Sequence, residues 1–144
     1  MANTPPTQAP TATELLADPI VQAALAQAWV DSLPHDPLGR HEEGGWVYMD
    51  VATGVISVRR AQRVDEATIY LSNPLLVAGS VVVATFHTHP NPSSEGWNPG
   101  PSGSDEISAS FLGVPCLIRA DDGTHTTGPA SRRGGLSGGP GFPP

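Results

Sequence analysis

Two histidines stand two residues apart at the end of an apolar run, in the segment His87-Thr88-His89-Pro90. The residues before them, Val81 to Phe86, are mostly β-branched or aromatic and predict a buried strand. Alternate side chains of a strand point to the same face, so His87 and His89 present two imidazoles side by side. Asp105 can add a carboxylate from the next element. Two imidazoles, one carboxylate and an open fourth position are the ligand set of a catalytic zinc site, so the sequence points to metal-assisted hydrolysis.

A Ser-x-x-Asp pattern, from Ser102 to Asp105, follows the strand after a loop rich in Pro, Gly, Ser and Asn. Taken alone, the pattern is typical of a helix start, where Ser caps the helix and an acidic residue in the first turn is favoured by the helix dipole. A helix start does not exclude a metal ligand, because the Asp105 carboxylate and the Ser102 hydroxyl can face the same cleft. Both interpretations therefore stay open for these two residues.

Together these motifs resemble the JAMM signature of the JAB/MPN metalloprotease superfamily, which is an upstream Glu, then His-x-His-Pro, then Ser-x-x-Asp. The resemblance covers roughly residues 18–128 and is nearest to the bacterial stand-alone members. It implies that the upstream Glu lies in Glu42-Glu43-Gly44-Gly45, with Glu42 as the catalytic acid/base and Glu43 as the alternate. It also implies that Ser102 donates a hydrogen bond to the developing oxyanion and that Zn²⁺ is held by the two histidines and Asp105.

The same resemblance implies an activity and a substrate class. The expected reaction is hydrolysis of a peptide or isopeptide bond after the C-terminal glycine of a ubiquitin-like protein, in the manner of a deubiquitinase. The expected partners are a ubiquitin-like protein or its conjugate and E1- or E2-like proteins of the same operon. Two alternatives remain open: a non-catalytic MPN module that scaffolds a complex, and a JAMM peptidase of a toxin or other system with an unrelated substrate.

One feature departs from the family pattern. The spacing from His89 to Asp105 is longer than in the compact family form by about five residues, a length that a loop absorbs at little cost. The extra residues lie in 91–101 and include Glu95 and Trp97. This loop can be a lid over the site or a plain surface excursion.

The elements expected around the site alternate between helix and strand. Asp18-Pro19 predicts the start of a helix that runs to Leu33, and Gly113 predicts the end of a shorter helix over 105–112. Strands are expected over 45–50, 55–61, 80–89, 115–120 and 124–128, with a weaker one over 67–71. This order predicts an α+β fold with a mixed β-sheet flanked by helices. The resemblance implies, more narrowly, a single JAB/MPN-like domain of the cytidine-deaminase-like α/β/α type.

Length and composition fit one small domain with two tails. Of the 144 residues, 14–128 are expected to form the JAB/MPN-like metalloprotease domain. Residues 1–13 and 129–144 are poor in apolar side chains, so we expect a disordered N-terminal tail and a flexible Gly/Pro-rich C-terminal tail.

Charge, hydropathy and cysteine content argue against a nucleic-acid or membrane partner and indicate a cellular compartment. A net charge of −7 without a basic stripe argues against nucleic acid as a partner. The sequence has neither the run of about 20 apolar residues that a membrane span needs nor a signal-peptide pattern, so no membrane partner is expected. The single cysteine, Cys116, lies in an apolar run and predicts a buried structural thiol in a cytoplasmic protein.

Overall fold

The computed structural model describes residues 6–62 and 71–136, and the structural statements that follow concern those residues. Within them the chain forms an α+β domain, as the order of the elements predicts. In chain order the elements are α1 (Ala12–Ala17), α2 (Pro19–Asp31), β1 (Gly44–Asp50), β2 (Ile56–Arg60), β3 (Ser80–His89), a 3₁₀ turn (Ser93–Glu95), α3 (Gly103–Leu112), β4 (Cys116–Ala120) and β5 (Gly123–Thr127).

The strands form one mixed sheet in the order β2-β1-β3-β4-β5. Strand β3 pairs in parallel with β4, and the other neighbouring pairs are antiparallel. A parallel pair needs a crossover connection, and here residues 90–115 supply it with the long loop and α3. The crossover starts where β3 ends, so the two histidines of that strand lie beside the start of α3.

Helical layers cover the two faces of the sheet. The side chains of α1 and α2, including Leu15, Val21 and Leu25, pack with Phe86 and Leu117 on one face. On the other face, Ala109 of α3 packs with Cys116 and Ile118. The segment 71–79 also covers this second face, because Trp46 Nε1 donates to Leu71 O at 2.9 Å and Tyr48 Oη donates to Leu75 O at 2.7 Å.

The two helices expected from the sequence are present, with small shifts at their ends. Asp18 caps α2 by accepting hydrogen bonds from Ile20 N at 2.8 Å and Val21 N at 3.3 Å, with Pro19 at the first helical position. That helix ends at Asp31, two residues before Leu33. Helix α3 begins at Gly103 instead of residue 105, because Ser102 is its N-cap.

Packed residues extend past both expected domain boundaries. The short helix α1 lies partly within the expected N-terminal tail and starts in a capping box made by Thr11 and Glu14. Ala12 N donates to Ala130 O at 2.8 Å, and Thr11 bridges to Ser131. Arg132 follows and is only 2% exposed. The packed domain therefore begins before residue 13 and continues past residue 129.

Two other expectations concern residues near the edges of the described ranges. Most of the weak strand expected over 67–71 lies outside the described residues, and Leu71 itself belongs to no strand. In the ranges that are described, no helix has both the length and the apolar character to cross a membrane.

Candidate metal centre

The three expected metal ligands lie together at the end of β3 and the first turn of α3. His87 Nε2 and His89 Nε2 are 3.1 Å apart. Asp105 Oδ1 lies 3.2 Å from His87 Nε2, and Asp105 Oδ2 lies 3.1 Å from His89 Nε2. A group of three such atoms within reach of one another is a possible metal site.

The spacing of these atoms can be compared with what a metal ion requires. Zinc bonds of about 2.0–2.1 Å at tetrahedral angles place neighbouring ligand atoms about 3.3 Å apart. The two imidazole nitrogens, 3.1 Å apart, come within about 0.2 Å of that value, and each lies 3.1–3.2 Å from a different oxygen of Asp105. The donor set is therefore suited to a small divalent metal ion, and three protein ligands would leave a fourth position for water or substrate.

Hydrogen bonds within the group shift the pKa of Asp105 and the pKa of His87. Burial raises the pKa of the Asp105 carboxyl, but hydrogen bonds to His87 and His89 outweigh it and hold that pKa well below its usual range. Burial likewise disfavours a charged His87, but hydrogen bonds to Asp105 and Cys116 raise the pKa of His87 to about 10. A proton on His87 thus occupies the position that a metal ion would take.

Each histidine is oriented by a contact on its other ring nitrogen. His89 Nδ1 lies 3.3 Å from Pro99 O, a contact that orients the ring with Nε2 towards His87 and Asp105. His87 Nδ1 lies 3.6 Å from Cys116 Sγ. Cys116 is a buried free thiol, as expected, but its contact with His87 was not foreseen. The sequence carries no signal for it, because the contact depends on how β3 and β4 pair.

Glu42 and Glu43 lie on opposite faces of the sheet, because successive side chains of an extended chain point to alternate faces. Gly44 pairs with His87 across β1 and β3, and one residue earlier Glu43 N donates to Thr88 Oγ1 at 3.1 Å while Thr88 N donates to Glu43 O at 2.9 Å. Residues opposite one another share a face. Glu42 therefore belongs to the face of the two histidines, and Glu43 to the opposite face with Thr88.

The surroundings of the two carboxylates agree with this separation. Glu42 lines the same cleft as His87 and His89, and burial raises the pKa of its carboxyl above the ordinary range. Glu43 instead accepts a hydrogen bond from Arg60 at 2.6 Å and contacts His41 Nε2 at 2.6 Å. Of the two candidates left open by the motif, Glu42 is the one that shares a cleft with the three candidate metal ligands.

Ser102 and Asp105 combine the two interpretations that their spacing left open. They form a capping box, in which Ser102 Oγ accepts from Asp105 N at 3.0 Å and Asp105 Oδ2 accepts from Ser102 N at 2.9 Å. The same Asp105 carboxylate faces both histidines. Because Ser102 Oγ acts as an acceptor in the cap, its hydroxyl hydrogen remains available to donate into the cleft that Ser102 also lines.

The cleft in front of the ligands has a volume of about 830 Å³. The long loop forms one of its walls and is held at two points. Arg40 donates two hydrogen bonds to the Glu95 carboxylate, both at 3.0 Å, and Ser93 donates two to Asp121 Oδ2, both at 3.0 Å. Trp97 of the same loop lines the cleft and is half-exposed. The loop is thus attached to the α2–β1 connection and to the β4–β5 turn.

No family model, curated protein or solved structure matches the chain. The assignment of the site therefore depends on the residues themselves, on their spacing in the sequence and on the geometry described above.

Proposed function

We propose that this chain is a zinc-dependent metallopeptidase or isopeptidase of the JAMM type. The observation that carries the proposal is the meeting of His87, His89 and Asp105 at 3.1–3.2 Å, in a cleft that Glu42 also lines. A metal ligand set with an adjacent carboxylate is typical of a hydrolase in which a metal-activated water, and not a side chain, attacks the substrate.

Each of the chain's own residues has a defined task in this reaction. His87, His89 and Asp105 would hold a zinc ion, which when bound would lower the pKa of a water molecule and polarise the scissile carbonyl. Glu42 accepts the proton of the attacking water and delivers it to the leaving amine; its raised pKa suits both transfers. Ser102 donates its hydroxyl hydrogen to the oxygen on which negative charge develops. Pro99 O and Cys116 Sγ hold the two imidazole rings in place.

The proposed substrate class is a ubiquitin-like protein, or its conjugate, cut after a C-terminal glycine. This part rests on the resemblance to the JAMM signature in Glu42, His87-Thr88-His89-Pro90 and Ser102 to Asp105. A cleft of about 830 Å³ is large enough for several residues of an extended peptide.

Zinc content and hydrolysis, measured on the same preparations, test the proposal. Wild-type protein is expected to bind one zinc ion and to cleave a ubiquitin-like fusion at its terminal glycine. Glu42→Gln is expected to keep the zinc and lose cleavage, whereas His89→Ala is expected to lose both. A wild-type chain that binds no zinc at neutral pH would overturn the proposal. A wild-type protein that binds zinc and cleaves nothing would favour a scaffolding module. A wild-type protein that cleaves only unrelated peptides would support the proposed hydrolysis and exclude ubiquitin-like proteins as the substrate class.

A further inference from the structure

The strand residue between the two histidines contacts the residue next to Glu42. Thr88 is fully buried and points to the face of the sheet opposite the metal ligands. There its hydroxyl oxygen accepts a hydrogen bond from Glu43 N at 3.1 Å, and its own amide donates to Glu43 O at 2.9 Å. These two hydrogen bonds fix the position of Glu43 relative to β3. They therefore also fix the position of Glu42 beside His89.

The side chain of Glu43 contacts two further side chains, those of Arg60 and His41. Arg60 of β2 donates to Glu43 Oε1 at 2.6 Å and to Asp31 Oδ2, at the end of α2, at 2.9 Å. His41 contacts Glu43 Oε2 at 2.6 Å and Gly39 O at 2.8 Å. The segment that carries Glu42 is thereby tied to β2, β3 and α2, while Glu42 itself lines the cleft with His87 and His89.

We propose that Glu43 and Thr88 are positioning residues, which hold the Glu42 carboxylate in the cleft from the opposite face of the sheet. The inference rests on the proposed function for its kinetic consequence, but its geometric content does not depend on activity. Glu43 lies next to the catalytic base in the chain and Thr88 lies between the two metal ligands. One pair of contacts therefore sets the base and the ligands relative to each other.

Such a role predicts a particular pattern of loss. A displacement of about 1 Å in a catalytic group can cost about 100-fold in rate. Thr88→Val removes the acceptor for Glu43 N while keeping the shape of the side chain, and Glu43→Gln removes the charge that Arg60 and His41 contact. Both variants are expected to lower kcat by about 10- to 100-fold, with KM and zinc affinity nearly unchanged. Thr88→Ser, which restores the hydroxyl, is expected to recover most of kcat.

A double-mutant cycle separates positioning from general damage. If Thr88 acts through Glu42, Thr88→Val has no further effect on the residual rate of a Glu42→Gln protein. Asp18→Ala is the matched control, because it removes the N-cap of α2, far along the chain from the site. It is expected to lower the melting temperature and to leave kcat unchanged.

Crystal structures of wild type, Thr88→Val and Glu43→Gln, with zinc where it binds, provide the readout that needs no activity. The expected result is a Glu42 carboxylate displaced from the cleft in both variants, with the histidines in place. An unmoved Glu42 in both variants, or an equal loss of kcat in the Glu42→Gln background, would overturn the inference. If wild type cleaves no substrate, the proposed function fails while the position of Glu42 in the variants still decides the inference.

Discussion

Replacing Gly44 with alanine is expected to separate the two strands that carry the site. Gly44 lies opposite His87 in the β1–β3 pair. A Cβ added at Gly44 would lie 2.2 Å from Phe86 O and 2.9 Å from both Cα and Cβ of His87. These are backbone atoms or atoms fixed to the backbone, so no flexible side chain can move aside to relieve the overlap.

The size of the effect follows from these distances. Ordinary contact begins near 3.4 Å, so the strands must separate locally by roughly 1.2 Å. That shift stretches the two Glu43–Thr88 hydrogen bonds, now 2.9 and 3.1 Å, beyond any useful length. Two lost bonds at about 1 kcal/mol each and an overpacking cost of about 1–3 kcal/mol give a loss of about 3–5 kcal/mol in unfolding free energy.

Thermal and urea unfolding measure this loss directly. For a domain of this size each kcal/mol lowers the melting temperature by roughly 3 °C, so the expected drop is about 9–15 °C. Gly103→Ala is the matched control, because a Cβ there meets nothing within 4 Å and the residue begins α3. Its melting temperature is expected to stay level or rise slightly. A Gly44→Ala protein as stable as wild type would show that the close approach of β1 and β3 does not require glycine at this position.

Three further predictions concern charge and the cleft. Because burial raises the pKa of Glu42 above 4.5, its ionised form costs stability at neutral pH, so Glu42→Gln is expected to raise the melting temperature of the metal-free protein at pH 7 and not at pH 4. Because hydrogen bonds raise the pKa of His87 to about 10, zinc must displace a proton from this residue at neutral pH. Zinc affinity is therefore expected to rise about tenfold per pH unit between pH 7 and pH 9, and calorimetry in buffers of different ionisation enthalpy is expected to detect the released proton. A zinc affinity that does not change with pH would contradict this prediction. Glu95→Gln weakens the contact with Arg40 that holds the loop forming one wall of the cleft, so steady-state kinetics are expected to show a several-fold rise in KM. Because the Glu95 side chain is half-exposed, a thermal scan is expected to show little change in melting temperature.

The parts of the fold that the sequence predicts are those with strong local causes. The run of apolar and β-branched residues before His87 predicts β3, which the structure shows buried along most of its length, and Asp18-Pro19 predicts the start of α2. Both are confirmed within two residues at their ends. Helix α1 was not predicted, because its six residues show too little periodicity, although the Thr11–Glu14 capping box was readable in the sequence.

The parts that were not predicted depend on pairing between distant segments. The contact of Cys116 with His87 follows from the parallel register in which Thr85 lies opposite Cys116. The contact of Arg60 with Glu43 follows from the register of β1 with β2, in which Arg60 lies opposite Gly45. A single sequence does not contain either register. The burial of Arg132 has the same cause, since Val82 O, which its guanidinium contacts at 3.4 Å, lies 50 residues away.

The Asp105 carboxylate belongs both to the N-terminal cap of α3 and to the candidate metal centre. One oxygen, Oδ2, accepts from Ser102 N at 2.9 Å and faces His89, while Oδ1 faces His87. A carboxylate has enough lone pairs to serve the helix cap and a metal ion at once, so neither role excludes the other. The cap orients the Asp105 carboxylate before any ion binds. The side chain of Asp105 therefore loses its rotational freedom during folding and not during metal binding. The Ser-x-x-Asp spacing therefore serves the helix and the site through one and the same geometry.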